Sequence, residues 1–246
     1  MGRFSGKRIL ITGGTSGMGL AGAKRIADEG GRVAVTGYSR EHLEEAADIL
    51  PSNAWVFKND ASDPAATAQL ADVVKEMGGL DGLWLNAGYA QVGAIEDTEA
   101  AFFDRMMNAN ARGPLLQIAK LKDLLSPHAS VVLTSSTSAY ESAPMASVYA
   151  ATKGAMISMA RCCAAALGER GIRVNVLVPG PIDTNFRNFM ANEVRQQFED
   201  GLVNQLPLRR VGTAAEAAAV ALFLLSDDSS YVTGSQYAVD GGLTMR

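Results

Sequence analysis

Cysteine is nearly absent from the sequence, and its two thiols, Cys162 and Cys163, are neighbours. Adjacent side chains on a helix point about 100° apart, so no disulfide framework is available and both read as reduced packing residues. Histidine is equally scarce. His42 and His128 stand far apart in the chain, each reading as a surface or loop residue, and no metal site is expected. No apolar run approaches the roughly eighteen residues that span a bilayer, which excludes a membrane segment. Basic residues cluster no further than the pairs Lys7-Arg8 and Arg209-Arg210, and the net charge is −4. The electrostatic footprint of a nucleic-acid binder is therefore missing. The opening Met1-Gly2-Arg3-Phe4-Ser5-Gly6 has no apolar core and no small-residue cleavage site, and Gly6 stands where a myristoylation signal has Ser or Thr. A soluble, cytoplasmic protein is the expectation.

What the chain does have is apolar content, 48% over 246 residues, enough for a substantial core. Short β-branched runs recur at Arg8–Thr12, Arg32–Thr36, Ala54–Phe57, Gly82–Leu85, Ser130–Thr134, Arg173–Leu177 and Gln236–Val239. Each is separated from the next by a stretch long enough for a helix, which is strand and helix in alternation. Near-continuous apolar strands such as Val131-Val132-Leu133 suit a parallel sheet covered on both faces. Right-handed crossovers then give a doubly wound α/β fold of seven parallel strands. No linker, repeat or low-complexity segment interrupts it, so residues 1–246 read as one domain.

The first strand runs into Thr12-Gly13-Gly14-Thr15-Ser16-Gly17-Met18-Gly19, after which Leu20, Ala21, Ala23, Ile26 and Ala27 give the apolar stripe of a helix. A glycine turn between strand and helix is either a tight turn or a cradle for a pyrophosphate, whose charge is met by backbone N–H groups and the helix dipole. Two frames compete. Gly17-x-Gly19-x-x-Gly22 fits the usual dinucleotide fingerprint, but the strand ends at Thr12, so the turn begins at Gly13 and Gly13-x-x-x-Gly17-x-Gly19 is preferred.

That pattern resembles the signature of the short-chain dehydrogenase/reductase family, and the resemblance extends over essentially the whole chain. Asn86-Ala87-Gly88 follows the fourth strand as the family's Asn-Ala-Gly does, with Leu85 where a second Asn is common. Asp60 resembles the family's adenine-contacting Asp, with Ala61 beside it. Pro179-Gly180-Pro181-Ile182-Asp183-Thr184 resembles the segment bordering the nicotinamide, Ile182 and Thr184 being the implied carboxamide partners. The family implies a Rossmann-type fold and hydride transfer between NAD(P)(H) and a carbonyl or alcohol. It also implies a homotetramer, since Tyr231–Leu243 resembles the family's interface-forming final strand. A 3-oxoacyl-thioester reductase and a dinucleotide sensor without turnover are the alternatives.

Tyr149 and Lys153 are four residues apart and hence share a helix face. An ammonium near a phenol favours the phenolate, drawing a pKa near 10 towards the working range. The same spacing is also common on solvated helices. The resemblance supplies the rest: Ser136, thirteen residues before Tyr149, matches the family's carbonyl-orienting Ser, with Ser135 and Ser138 as neighbours, and Asn110 matches its helix Asn, which anchors a proton-relaying water beside Lys153.

The second strand ends at Gly37-Tyr38-Ser39-Arg40, without the Asp by which NAD-preferring relatives grip the ribose 2′-OH. Ser39 and Arg40 are candidate partners for a 2′-phosphate, so NADP(H) is favoured over NAD(H); Glu44, four residues on, is the other partner open to Arg40. Phe186, Phe189, Met190, Phe198 and Leu202, with Ser138, Tyr140, Met145 and Tyr89, form either core or an apolar substrate pocket without a charged anchor.

Overall fold

The computed structural model describes residues 2–184, 193, 196 and 201–245. Strands β1 (Arg8–Thr12), β2 (Arg32–Gly37), β3 (Trp55–Lys58), β4 (Leu80–Leu85), β5 (Leu125–Thr134) and β6 (Arg173–Pro179) alternate with helices α1 (Gly17–Asp28), α2 (Arg40–Ile49), α3 (Ala66–Glu76), α4 (Ala100–Met107), α5 (Gly113–Leu121) and α6 (Ser147–Leu167). The short β7 (Ile182–Asp183) and β8 (Gly212–Thr213) pair with each other, and α7 (Ala214–Leu225) leads to β9 (Gln236–Val239). The seven main strands lie in the order β3-β2-β1-β4-β5-β6-β9 and every adjacent pair is parallel. The chain winds outward from β1 to β3, returns to the far side of β1 at β4, and winds the other way. The loops after β1 and β4 therefore diverge, and a crevice opens above their carboxyl ends.

Alternate residues of a strand point to opposite faces, which divides the core in two. Leu10, Leu83, Leu85, Val131, Leu133, Val174 and Val176 face α3, α5 and α6. Ile9, Ile11, Val33, Trp84, Val132 and Leu177 face α1 and α7. Trp84 is fully buried and requires Gly22 on α1, where a Cβ would lie 2.5 Å from the indole ring. The α7 end is held by a buried cation. Arg173 donates to the Leu224 and Ser226 carbonyls at 3.0 and 2.8 Å, satisfying acceptors that the last turn of a helix leaves open.

Most strand ends differ from the sequence reading by two residues or fewer, and two places differ more. β5 begins at Leu125, five residues earlier than expected from its apolar run, because its foot pairs with Leu80 through a register shift at Leu80/Gly82. Ser126-Pro127-His128 hides that foot, since proline and polar residues read as a strand break. Between α4 and α5, residues Asn108–Arg112 form a π turn, which no apolar periodicity announced.

Candidate active site

The glycine turn is built from backbone. Gly13 and Gly17 have φ of +63° and +51°, values costly for any residue with a Cβ. A Cβ on Gly13 would lie 2.7 Å from Ala87 Cα, and one on Gly19 would lie 2.3 Å from the Gly13 carbonyl oxygen. Gly22 packs against Trp84 and takes no part in the turn, so the frame Gly13-x-x-x-Gly17-x-Gly19 describes the fold. Asn86 locks the turn to β4 by donating to the Gly13 carbonyl at 3.0 Å and accepting from Thr134 Oγ1 at 3.2 Å. Thr134 in turn accepts from the Trp84 indole at 2.9 Å. A hydrogen-bonded chain thus runs from the core to the turn.

The first turn of α1 meets the requirements of a pyrophosphate. Its N-cap, Ser16, makes no side-chain cap and the turn carries no acidic residue, whereas Ser39 caps α2 and Thr213 forms a capping box with Glu216 on α7. The N–H groups at the start of α1 are thus left for an anion drawn by the helix dipole. Thr184 faces this turn, its Cγ2 lying 3.3 Å from where a Gly17 Cβ would stand.

On the other side of the crevice the work passes to side chains. Ser136, at the end of β5, accepts from the Ser138 N–H at 3.2 Å and donates to its hydroxyl at 3.3 Å. It also hydrogen-bonds Tyr149, whose phenol is pushed above its ordinary pKa by burial and only partly drawn back by that bond. Lys153 lies one helical turn on, with Nζ 5.5 Å from the Tyr149 ring centroid and donating to the Thr134 carbonyl at 3.1 Å. Burial pushes the Lys153 ammonium down to about 8. Ser135 fixes α6 to β5 by donating to the Lys153 carbonyl at 2.8 Å. Asn110 sits in the π turn, buried, accepting from the Tyr89 N–H at 2.8 Å and donating to the Tyr89 carbonyl at 2.7 Å. A Cβ on Gly88 would lie 3.5 Å from Lys153 Nζ and 3.7 Å from Asn110 Oδ1, so Asn110, Lys153 and the Asn86-Ala87-Gly88 segment meet.

A family model described as enoyl-(acyl carrier protein) reductase matches residues 13–244. The chain is 36% identical to the oxidoreductase asL5 of Sarocladium schorii, over 98% of this chain and 97% of that one. It is 34% identical to versicolorin reductase 1 of Aspergillus parasiticus, over 98% and 97%. A solved short-chain dehydrogenase/reductase from Brucella melitensis, titled glucose/ribitol dehydrogenase, superposes with a TM-score of 0.93 at 31% identity over 100% of this chain and 99% of that one. A short-chain dehydrogenase from Burkholderia cenocepacia in complex with NADP superposes with a TM-score of 0.91 at 31% identity over 98% and 99%. The chain belongs to the short-chain dehydrogenase/reductase family. It is an NAD(P)-dependent oxidoreductase acting on alcohol or carbonyl compounds.

In this short-chain dehydrogenase/reductase most expected cofactor positions lie at the carboxyl ends of the parallel strands β1, β4 and β6, from Gly13, Thr15, Ser16, Gly17, Met18 and Gly19 through Asn86, Ala87 and Gly88 to Pro179, Gly180, Ile182 and Thr184. Asp60 spends one carboxylate oxygen on Ser62, accepting from its N–H and hydroxyl at 2.8 and 2.7 Å. Ala61 touches the start of α5, where a Gly113 Cβ would lie 2.1 Å from its carbonyl oxygen. Arg40 is exposed and paired with Glu44 at 2.7 Å. One electrostatic expectation is corrected: the Tyr149 phenol is pushed up and not drawn towards the neutral range, because burial penalises the phenolate more than the Ser136 hydrogen bond favours it.

The substrate side agrees less well with the sequence reading. Tyr140 is exposed and its hydroxyl hydrogen-bonds Gln236 on the edge strand β9. Gln236 pairs with Val176, three residues short of the β6 end at Pro179. Met145 is exposed, and its carbonyl accepts from the Gly93 N–H at 2.9 Å, tying together the loops after β4 and β5. Phe186, Phe189, Met190 and Phe198 lie outside the described residues. Among the described residues no helix is long and apolar enough to cross a membrane. Sequence reasoning passed over Thr134, the Ser135 bond to α6 and Lys58 at the end of β3. For Lys58 the signal was present, a cation closing a strand that pairs beside β2.

Proposed function

We propose that the protein interconverts an apolar ketone or aldehyde and its alcohol, with NADP(H) favoured over NAD(H) and with Ser136, Tyr149, Lys153 and Asn110 as the catalytic set. The observation that carries this is the convergence of Ser136, Tyr149 and Lys153 beside a glycine turn whose helix start is left uncapped. The nicotinamide, when bound, supplies or accepts the hydride. In reduction, Ser136 and Tyr149 hydrogen-bond the substrate oxygen and orient its carbon for attack. The raised phenol keeps its proton at neutral pH, the form a donor needs, and Tyr149 delivers it to the oxygen as negative charge develops there. Lys153, protonated below about 8, holds the ribose hydroxyls and stabilises the phenolate left behind. Asn110 anchors the water through which Tyr149 regains its proton, a role supported by the π turn, a feature that recurs at functional sites. Oxidation runs the same transfers in reverse.

NADP(H) is supported by the missing acidic residue at Gly37, by Ser39 and Arg40 beside it, and by the NADP held in the similar Burkholderia structure. The substrate class is supported by Tyr89, Val92, Ile95 and Met145, exposed apolar side chains on the two tied loops. A homotetramer and a cytoplasmic location complete the proposal, the first from the family resemblance of the β9 region. Purified protein assayed with panels of ketones and alcohols, following reduced-nicotinamide absorbance with each cofactor, tests it. Turnover of apolar carbonyls with a higher kcat/KM for NADPH is expected. No turnover of any member, or a clear preference for NADH, overturns the corresponding part.

A further inference from the structure

The adenosine end of the crevice carries a cation that no motif marks. β2 and β3 end together, with Gly37 paired in register with Lys58, and residues paired across adjacent strands project from the same face. Strand neighbours lie about 4.8 Å apart, so the Lys58 side chain starts one strand away from the tip of β2. Its ammonium comes to 4.9 Å from the ring centroid of Tyr38, the residue after that tip. Lys58 is exposed and pairs with no carboxylate among the described residues. Arg40, by contrast, is already engaged by Glu44 at 2.7 Å.

The same tip has no room for an acidic side chain. A Cβ at position 37 would stand 2.1 Å from Thr15 Oγ1, and Thr15 is buried. Nothing there competes with a phosphate for the free ammonium. Ser39 accepts from the His42 N–H at 3.5 Å as the cap of α2, which leaves its own hydroxyl proton to donate.

We infer that Lys58, held over the Tyr38 ring, is the principal cation for the 2′-phosphate of the adenosine ribose, with the Ser39 hydroxyl beside it and Arg40 secondary. The inference rests on the NADP(H) reading above and adds to it the residue that enforces the choice. An ammonium resting on an aromatic face gives up little on turning to a phosphate, whereas Arg40 already spends its Nε–H on Glu44, whose carboxylate repels a phosphate. Thr15 contributes by exclusion, keeping position 37 free of the carboxylate that would repel the phosphate.

The test is calorimetric titration of the full chain with adenosine 2′,5′-bisphosphate and with adenosine 5′-monophosphate, which need no turnover. The unmutated protein is expected to bind the bisphosphate roughly tenfold or more tightly than the monophosphate, the margin of one charge-assisted contact. Lys58→Met should abolish most of that margin and leave monophosphate affinity unchanged, Lys58→Arg should retain it, and Arg40→Met should reduce it less than Lys58→Met. A full margin in Lys58→Met overturns the assignment of Lys58 and leaves the NADP(H) reading standing. Equal weakening of both ligands also overturns it, as the sign of lost packing on Tyr38. No margin in the unmutated protein overturns the NADP(H) reading itself.

Discussion

The two walls of the crevice are made of different material. Around the glycine turn the working parts are peptide groups, and the side chains that matter are those that are absent: Gly13, Gly17 and Gly19 leave the space that backbone and ligand occupy. Around Tyr149 the backbone serves as scaffold, and hydroxyl, phenol and ammonium groups converge. The first wall is therefore sensitive to adding an atom and the second to removing one. The second also holds two titratable groups that burial disfavours in their charged forms.

The sharpest break in that comparison is expected from Tyr149→Phe, which deletes one oxygen. Turnover should fall about 10³-fold, within the range for loss of a general acid, while cofactor affinity by nicotinamide fluorescence stays within about twofold of the unmutated value. Parallel loss of both would place Tyr149 in binding and not in proton transfer. The counterpart on the other wall adds one carbon. Gly19→Ala drives a Cβ to 2.3 Å from the Gly13 carbonyl oxygen, a backbone atom that cannot step aside. It should cost about 1–3 kcal/mol in urea unfolding and strongly weaken cofactor binding. An unchanged unfolding midpoint would mean that the turn relaxes.

Lys153 gives a test with the opposite sign. Its pKa in the folded chain, about 8, lies below the ordinary lysine value of 10.5, so between those two values the unfolded chain binds more protons and stability rises with pH. Below about 8 the full cost of the buried charge is present. Lys153→Met should thus raise ligand-free stability at pH 7 by about 1–3 kcal/mol, lose the lysine part of the rise between pH 8 and pH 10, and weaken cofactor binding. Destabilisation at pH 7 would show that the bond from Nζ to the Thr134 carbonyl outweighs desolvation. The smallest effect is reserved for Gly154, beside Lys153 on α6, where an added Cβ meets nothing within 4 Å. Gly154→Ala should stabilise by about 0.5–1 kcal/mol through helix propensity, read as a small rise in Tm. A loss would reveal a neighbour at that face, such as a second copy of the chain.

The same contrast explains what could be read from the sequence. All seven strands of the sheet were visible as apolar runs, because the inner strands are buried on both faces and the edge strands β3 and β9 are half-buried. The glycine turn was legible because backbone crowding selects one residue type. Ser136, Tyr149 and Lys153 were legible only as a set, through separations along the chain, since each residue type is common alone. What stayed hidden depends on contacts between distant segments. The Trp84 to Thr134 to Asn86 chain, the Thr15 side chain filling the space over Gly37, and the bond from Ser135 to α6 have no local signature. The direction of the Tyr149 shift was misread because spacing gives the neighbour of a charge and says nothing of the water it has lost.

The π turn at Asn108–Arg112 has a consequence for length. It is a stored insertion, one residue more than a regular helix needs to connect α4 to α5, and each residue of an α-helix advances the following face by about 100°. Excising a single residue there would press α4 and α5 towards one helix, with Pro114 then in its interior, where it has no N–H to donate and kinks the axis. The hydrophobic identity of both segments would be untouched, yet the Asn110 amide would swing away from Tyr89 and the loop after β4 would lose the clamp that holds both its N–H and its carbonyl. At this point of the chain, spacing fixes the Asn110 contacts as much as side-chain chemistry does, and a deletion that looks conservative on paper would act as a rotation.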